Sequence, residues 1–282
     1  MSQSSEKKWF ALGAAAFAAG FVALLAIRRR KPGADEAEQR PEAALETREE
    51  ENDRVIHSLV VLVAGSAYLL MASGGGRKAA PDHTTYWARY ADWAITTPLL
   101  LLGLAGQALG SPFRRTALVG GLLATDLYMI ATGYLADKPA RDDPRKWLWY
   151  AMSSGAFLGI YYLLWGPLRD EARRTGPEAL DVYTRNAAFL SLVWAGYPLN
   201  FVAGPEGTGT IDKEASTAIY AGLDIAAKIL FGLYSLGNTQ EKAAKALAEG
   251  RVPEHELRPA PRAFEEVKEP GSPEEGEAGA ER

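Results

Sequence analysis

The run Ala215–Leu236 is long and apolar enough to cross a bilayer, yet it carries Asp224 and Lys228 one helical turn apart. Each such charge costs about 2.5–3.5 kcal/mol to place near the centre of a membrane. Intramembrane charges therefore face a bundle interior and mark function. A chain containing this run has to surround it with protein rather than lipid. The lysine is also a candidate for covalent attachment, because its amine forms Schiff bases with carbonyl compounds.

Six further segments can be read as spans: Trp9–Ile27, Val55–Ser73, Tyr86–Leu109, Thr116–Leu135, Trp147–Trp165 and Tyr183–Ala203. About 20 mainly apolar residues at 1.5 Å rise cross a hydrocarbon core of ~30 Å. The mean hydropathy of −0.13 hides them, since it averages apolar spans with a polar linker, about 31–53, and a polar tail, 239–282. The tail is rich in Glu, Pro, Ala and Gly and is expected to be disordered. Lys7-Lys8 before an apolar run could pass for a signal peptide. Arg28-Arg-Arg-Lys31 follows directly and argues for a cytoplasmic anchor under the positive-inside rule. The first segment is therefore read as a span with its N-terminus outside. Later loops support this orientation only in part: Arg114, Arg115, Arg169, Arg173 and Arg174 fall inside, whereas the basic residues of 138–146 fall outside. With no cysteine, disulfides and thiolate metal sites are excluded, and no metal is expected.

A second charged span sharpens the reading. Tyr86-Trp-Ala-Arg-Tyr-Ala-Asp-Trp-Ala-Ile-Thr-Thr-Pro places Arg89, Asp92 and Thr96 at i, i+3 and i+7, on one helix face. Together these two segments resemble the third and seventh helices of the microbial (type 1) rhodopsins, the bacteriorhodopsin-like proton pumps in particular. The resemblance implies an all-α membrane protein, a seven-transmembrane-helix bundle over residues 1–238 with all-trans retinal in its core. It also implies that the retinal is held as a Schiff base on Lys228. Lys213 and Lys242 fall outside the spans, so no other buried lysine is expected.

A buried cation needs nearby negative charge to stay charged, and Asp92 and Asp224 are the candidate counterions. By resemblance, Asp92 is also the proton acceptor after light isomerises the chromophore. Thr96 resembles the threonine that hydrogen-bonds the acceptor, and Arg89 the arginine that keeps both carboxylates ionised. Trp93, Trp149, Tyr150, Trp194, Tyr197 and Pro198 resemble the pocket walls. Thr97, Leu100, Met129, Gly133 and Ser153 join them, and Tyr68 resembles a tyrosine near the counterions. Asp126 is expected to be neutral and hydrogen-bonded. Tyr150 stands where antenna-carrying relatives have a glycine, so a carotenoid partner is not expected.

Glu206 resembles the first of two proton-release glutamates, while the second aligns with Ser216; Asp212 or Glu214 could substitute. Gly103 stands where efficient pumps carry a carboxylic donor. His57 is offered as the cytoplasmic donor in its place, on the expectation that the missing Gly103 side chain leaves room for its imidazole. The alternative has His57 merely cap the cytoplasmic end and reach water. The implied activity is light-driven outward proton pumping in a prokaryotic plasma membrane, not enzyme catalysis. The acid at Asp92 argues against chloride pumping, and Ala227, where phototaxis sensors use a threonine, argues for a pump over the sensory alternative. Protons, membrane lipids and further copies of the chain, as trimer or pentamer, are the expected partners, with no nucleic acid.

Overall fold

The computed structural model describes residues 2–27 and 41–248. Within them the chain forms seven helical rods and one short hairpin. The first rod is α1 (Ser2–Ala26) and the second α2 (Pro41–Ala72). A two-stranded antiparallel hairpin follows, β1 (Lys78–Ala79) and β2 (Thr84–Thr85), with Lys78 opposite Thr85. The third and fourth rods are α3 (Trp87–Leu109) and α4 (Thr116–Asp137).

The last three rods are interrupted, and two of the interruptions have an evident cause. The fifth runs from α5 (Pro144–Leu163) through a π-helical turn, Leu164–Leu168, into α6 (Arg169–Thr175). Pro167 in that turn has no N–H to donate. The sixth is broken at Ala195 between α7 (Pro177–Trp194) and α8 (Gly196–Ala203). Pro198 cannot donate to the carbonyl four residues back, that of Trp194, so the ladder opens there. The seventh runs from α9 (Lys213–Ile225) through a π-helical turn, Ala226–Leu230, into α10 (Phe231–Ala248). Such turns are frequent at functional sites, and this one carries Lys228.

Local signals set several ends. Asp143 and Asp212 accept the backbone N–H of Arg145 and Ala215, capping α5 and α9. Gly110 ends α3 at φ 70°, a left-handed conformation that glycine adopts without penalty. Four stretches are long and apolar enough to cross a membrane by themselves: Ser5–Ala26, Glu50–Ala72, Thr116–Asp137 and Lys213–Lys242. The other three rods reach the needed length with more polar or broken sequences. Large apolar side chains, among them Leu62, Leu69, Leu158, Leu192 and Leu199, stand exposed around the outside. Lipid is the solvent that suits such a surface.

Two expectations are corrected. Residues 41–53 are not a linker but the start of α2, and the helix continues through the first ten residues of the expected tail to Ala248. The first stretch is rich in Glu and the second in Ala and Lys, all good helix formers. Arg54 fixes the first extension by pairing with Glu50 at 2.7 Å and bonding the Ile27 carbonyl. The linker residues 31–40, the anchor Arg28–Lys31 and the tail from 249 onward lie outside the described residues.

Close approach by α1 shapes the centre. A Cβ at Gly13 would overlap the Tyr68 ring, and one at Gly20 would lie 2.9 Å from Ile229. These two glycines let the first rod press on the second and the seventh.

Candidate functional site

Lys228 is 1% exposed, and its Nζ donates to Asp92 Oδ2 at 2.5 Å and to Asp224 Oδ1 at 2.8 Å. The two carboxylates are unequally supported. Asp224 also accepts from Tyr68 Oη at 2.7 Å, Tyr197 Oη at 2.9 Å and Trp93 Nε1 at 3.1 Å. Asp92 Oδ1 has no hydrogen-bond partner among the described residues. A cation thus faces one saturated carboxylate and one with a free oxygen.

A cavity opens from this cluster. Trp93, Trp194, Tyr197 and Pro198 line it, with Thr97, Leu100, Met129, Gly133, Tyr150 and Ser153. Tyr150 closes one side by donating to the Pro198 carbonyl at 3.2 Å and stacking on Phe201. Trp149 is not among the lining residues: one position from Tyr150 on a helix turns it about 100° away. Residues missed in the sequence also line the cavity, notably Tyr90, Phe157 and Tyr220. Their signal was available: Tyr220 lies one turn before Asp224, and Phe157 one turn after Ser153.

Thr97 Oγ1 lies 2.8 Å from the Trp93 carbonyl and 2.7 Å from Asp126 Oδ2. A hydroxyl has one hydrogen. If it serves the carbonyl, Asp126 must donate, so the geometry suits a protonated, neutral Asp126. Thr96, by contrast, donates to the backbone oxygen of Asp92 at 2.9 Å.

Arg89 departs from expectation. It pairs with Glu206 at 3.7 Å and sits over the Tyr220 ring at 4.0 Å, and among the described residues its ion pair is with Glu206 rather than with Asp92 or Asp224. Burial and the nearby Asp137 carboxylate push the Glu206 carboxyl above its ordinary value, against the pull of Arg89. Ser216 is buried and accepts from Asn200 at 3.3 Å. Asp212 and Glu214 are exposed, and Asp212 caps α9, so neither stands in for a second buried acid.

His57 is buried, not snorkelled to water, and Nδ1 has no hydrogen-bond partner. The glycine that makes room for it is Gly232, where a Cβ would lie 3.2 Å from the ring; Gly103 faces Ile56 instead. Phe231 packs edge-on against the imidazole. A second buried lysine also exists: Lys146, whose Nζ donates to the Ala136 carbonyl at 3.1 Å and lies over the Phe201 ring, while Lys146 itself is not among the residues that line the cavity.

Residues 4–240 match the model of the "Bacteriorhodopsin-like protein" family. The chain belongs to the bacteriorhodopsin-like family. Bacteriorhodopsin of Haloterrigena sp. (strain arg-4) is 36% identical over 187 residues, covering 64% of this chain and 73% of that protein. The crystal structure of thermophilic rhodopsin from Rubrobacter xylanophilus superposes with a TM-score of 0.72 at 31% identity, over 84% of this chain and 97% of the other. The light-driven proton pump Coccomyxa subellipsoidea rhodopsin gives 0.68 at 28% identity, over 82% and 96%. This bacteriorhodopsin-like chain is therefore a microbial type 1 rhodopsin, a seven-helix membrane protein of a family of light-driven transporters rather than enzymes.

Proposed function

We propose that this rhodopsin is a light-driven outward proton pump of a prokaryotic plasma membrane, carrying all-trans retinal on Lys228. The fit rests on the cavity: flat aromatic and apolar walls suited to a polyene, ending at a buried primary amine. When bound, the group supplies light absorption and a change of shape that displaces charge at Lys228 Nζ.

One observation carries the direction of the first transfer. Asp224 already accepts four hydrogen bonds, whereas Asp92 has a free oxygen. A proton leaving Lys228 Nζ is therefore accepted by Asp92 with the least disruption, and Asp224 remains the fixed anion. Tyr68, Trp93 and Tyr197 hold that anion in place. Arg89 carries positive charge between Asp92 and Glu206, so the proton's arrival is felt at the hairpin end, which faces outside.

Return of the proton to Lys228 comes from the opposite end. His57 and Tyr68 are 11 positions apart on α2, a rise of roughly 16 Å. The imidazole thus sits well toward the Asp53 end, buried and with an unpartnered nitrogen, and serves as donor. Imidazole is the group suited to exchange protons near neutral pH. Copies of the chain assemble as a trimer or pentamer in the lipid.

The sensory reading draws on Gly103, which leaves α3 without a carboxylic donor. Light-induced pH change in cells supplied with retinal decides between them. A pump acidifies the medium, and a protonophore abolishes the signal; no transient in any condition supports a sensor and refutes the pump.

A further inference from the structure

Away from Lys228, buried titratable groups meet where the hairpin packs on the end of α4 and the start of α5. His83 is the hub. Its side chain is 1% exposed, and Nε2 lies 2.7 Å from the Asp137 backbone oxygen and 2.8 Å from Asp137 Oδ1. Nδ1 lies 2.7 Å from Asp82 Oδ1. A carbonyl oxygen only accepts, so Nε2 carries a hydrogen. In the neutral ring, Nδ1 would then aim a bare lone pair at a carboxylate oxygen. That contact is favourable only with a proton between the two atoms, on the ring or on Asp82. The geometry therefore calls for one proton more than a neutral imidazole and two carboxylates hold.

The surrounding charges are consistent with this. Asp82 Oδ2 accepts the Arg141 backbone N–H at 2.7 Å, and Thr85 donates to the Asp137 carbonyl at 3.0 Å. Arg89, Lys146, Tyr90 and Glu206 all interact electrostatically with Asp137. Burial opposes charge on His83 and Lys146 repels it, but hydrogen bonds with Asp137 and Asp82 outweigh both and raise its proton affinity.

We propose that the Asp82–His83–Asp137 chain stores the proton that is released outside. The proposal rests on the pump reading above. Asp137, the inner end, neighbours the Arg89–Glu206 pair; Asp82, the outer end, has 34% of its side chain exposed and opens to water. Proton arrival at Asp92 cancels the negative charge one turn from Arg89, so the Arg89 cation is held more strongly by Glu206 and Asp137. Positive charge next to Asp137 disfavours the imidazolium. The Nδ1–H bond breaks, the proton passes to Asp82 Oδ1 and then to solvent, and a neutral ring remains. When Asp92 later gives up its proton, that proton refills the store, so one proton enters the chain for each one that leaves.

The test uses the full-length, retinal-loaded protein in nanodiscs, with a soluble pH dye and the visible absorbance followed after one flash. In the wild type, the dye should report a proton while Lys228 is still deprotonated. His83→Gln and Asp137→Asn should lose this early phase and release only at the end of the cycle. Early release unchanged in both variants overturns the proposal, even if their thermal stability falls, which is all a structural clamp would predict. Nitrogen-15 NMR of His83 in the dark gives an arm independent of transport. Both ring nitrogens protonated at neutral pH, with loss of one in Asp137→Asn, supports the store; a neutral wild-type ring beside an ionised Asp82 overturns it. Absent light-driven acidification refutes the pump reading, while the NMR arm still decides where the proton lies.

Discussion

Thr97→Val should destabilise the protein by leaving Asp126 alone in the core. The two side chains meet at 2.7 Å, Asp126 is fully buried, and its Oδ1 already lacks a partner. Valine matches threonine in shape but removes the only hydrogen-bonding group that the described residues offer to that carboxyl. Orphaning a buried polar group costs about 1–3 kcal/mol. For a chain of this size, each kcal/mol shifts the melting point by about 2–4 °C, so a fall of about 2–12 °C is expected. Asp126→Leu should cost less, because Thr97 keeps its bond to the Trp93 carbonyl. The double variant Thr97→Val/Asp126→Leu has no orphaned group and should recover most of the loss. Thermal bleaching of the visible band, compared at one heating rate, supplies the assay. A Thr97→Val protein as stable as wild type, or single effects that simply add in the double variant, would refute the hydrogen-bond reasoning.

Lys228→Ala should abolish the visible band; a band that resists hydroxylamine in the dark would move the attachment elsewhere, with Lys146 the next buried amine to test. Asp92→Asn should shift absorption to the red and stop transport, since it removes both counterion charge and acceptor; normal pumping by this variant would sink the role. His57→Ala should slow decay of the deprotonated state about 100-fold or more, with azide restoring the rate, whereas unchanged decay assigns reprotonation to bulk water. His83 has a raised proton affinity in the fold, so its contribution to stability is complete below the unfolded value of about 6.5. That contribution is lost as pH rises through the higher folded value. Melting points across this window should fall for wild type and stay flatter for His83→Gln.

The parts of the site that lie within one helix were legible in the sequence. Helical period alone puts Arg89 and Asp92 on one face of α3, and Asp224 with Lys228 on one face of the seventh rod. Resemblance added that these faces meet. What it missed depends on rotation and on pairing between distant segments. His57 was expected beside Gly103, but α2 turns it to Gly232, and only packing sets that angle. Nothing in the pattern joins Asp82-His83 to Asp137, because a hairpin and a helix end have no shared period. Arg89 was expected to keep both carboxylates ionised from one turn away; its long side chain extends to Glu206, a choice between partners that spacing does not decide. The break at Ala195 follows from Pro198, a signal present in the sequence, although hydropathy alone reads Tyr183–Ala203 as one span.

The two glycines of α1 give the first rod a say in the chemistry of the seventh. Through Tyr68 it buttresses the anion at Asp224, and through Ile229 it abuts the residue next to Lys228. A segment that resembles a removable leader thus backs the Asp92–Asp224–Lys228 cluster. A fusion partner placed before Ser2 should leave the colour alone. A bulky side chain at position 13 should instead retune the pigment from more than 200 positions away in sequence, which makes that glycine a dial for colour engineering outside the pocket itself.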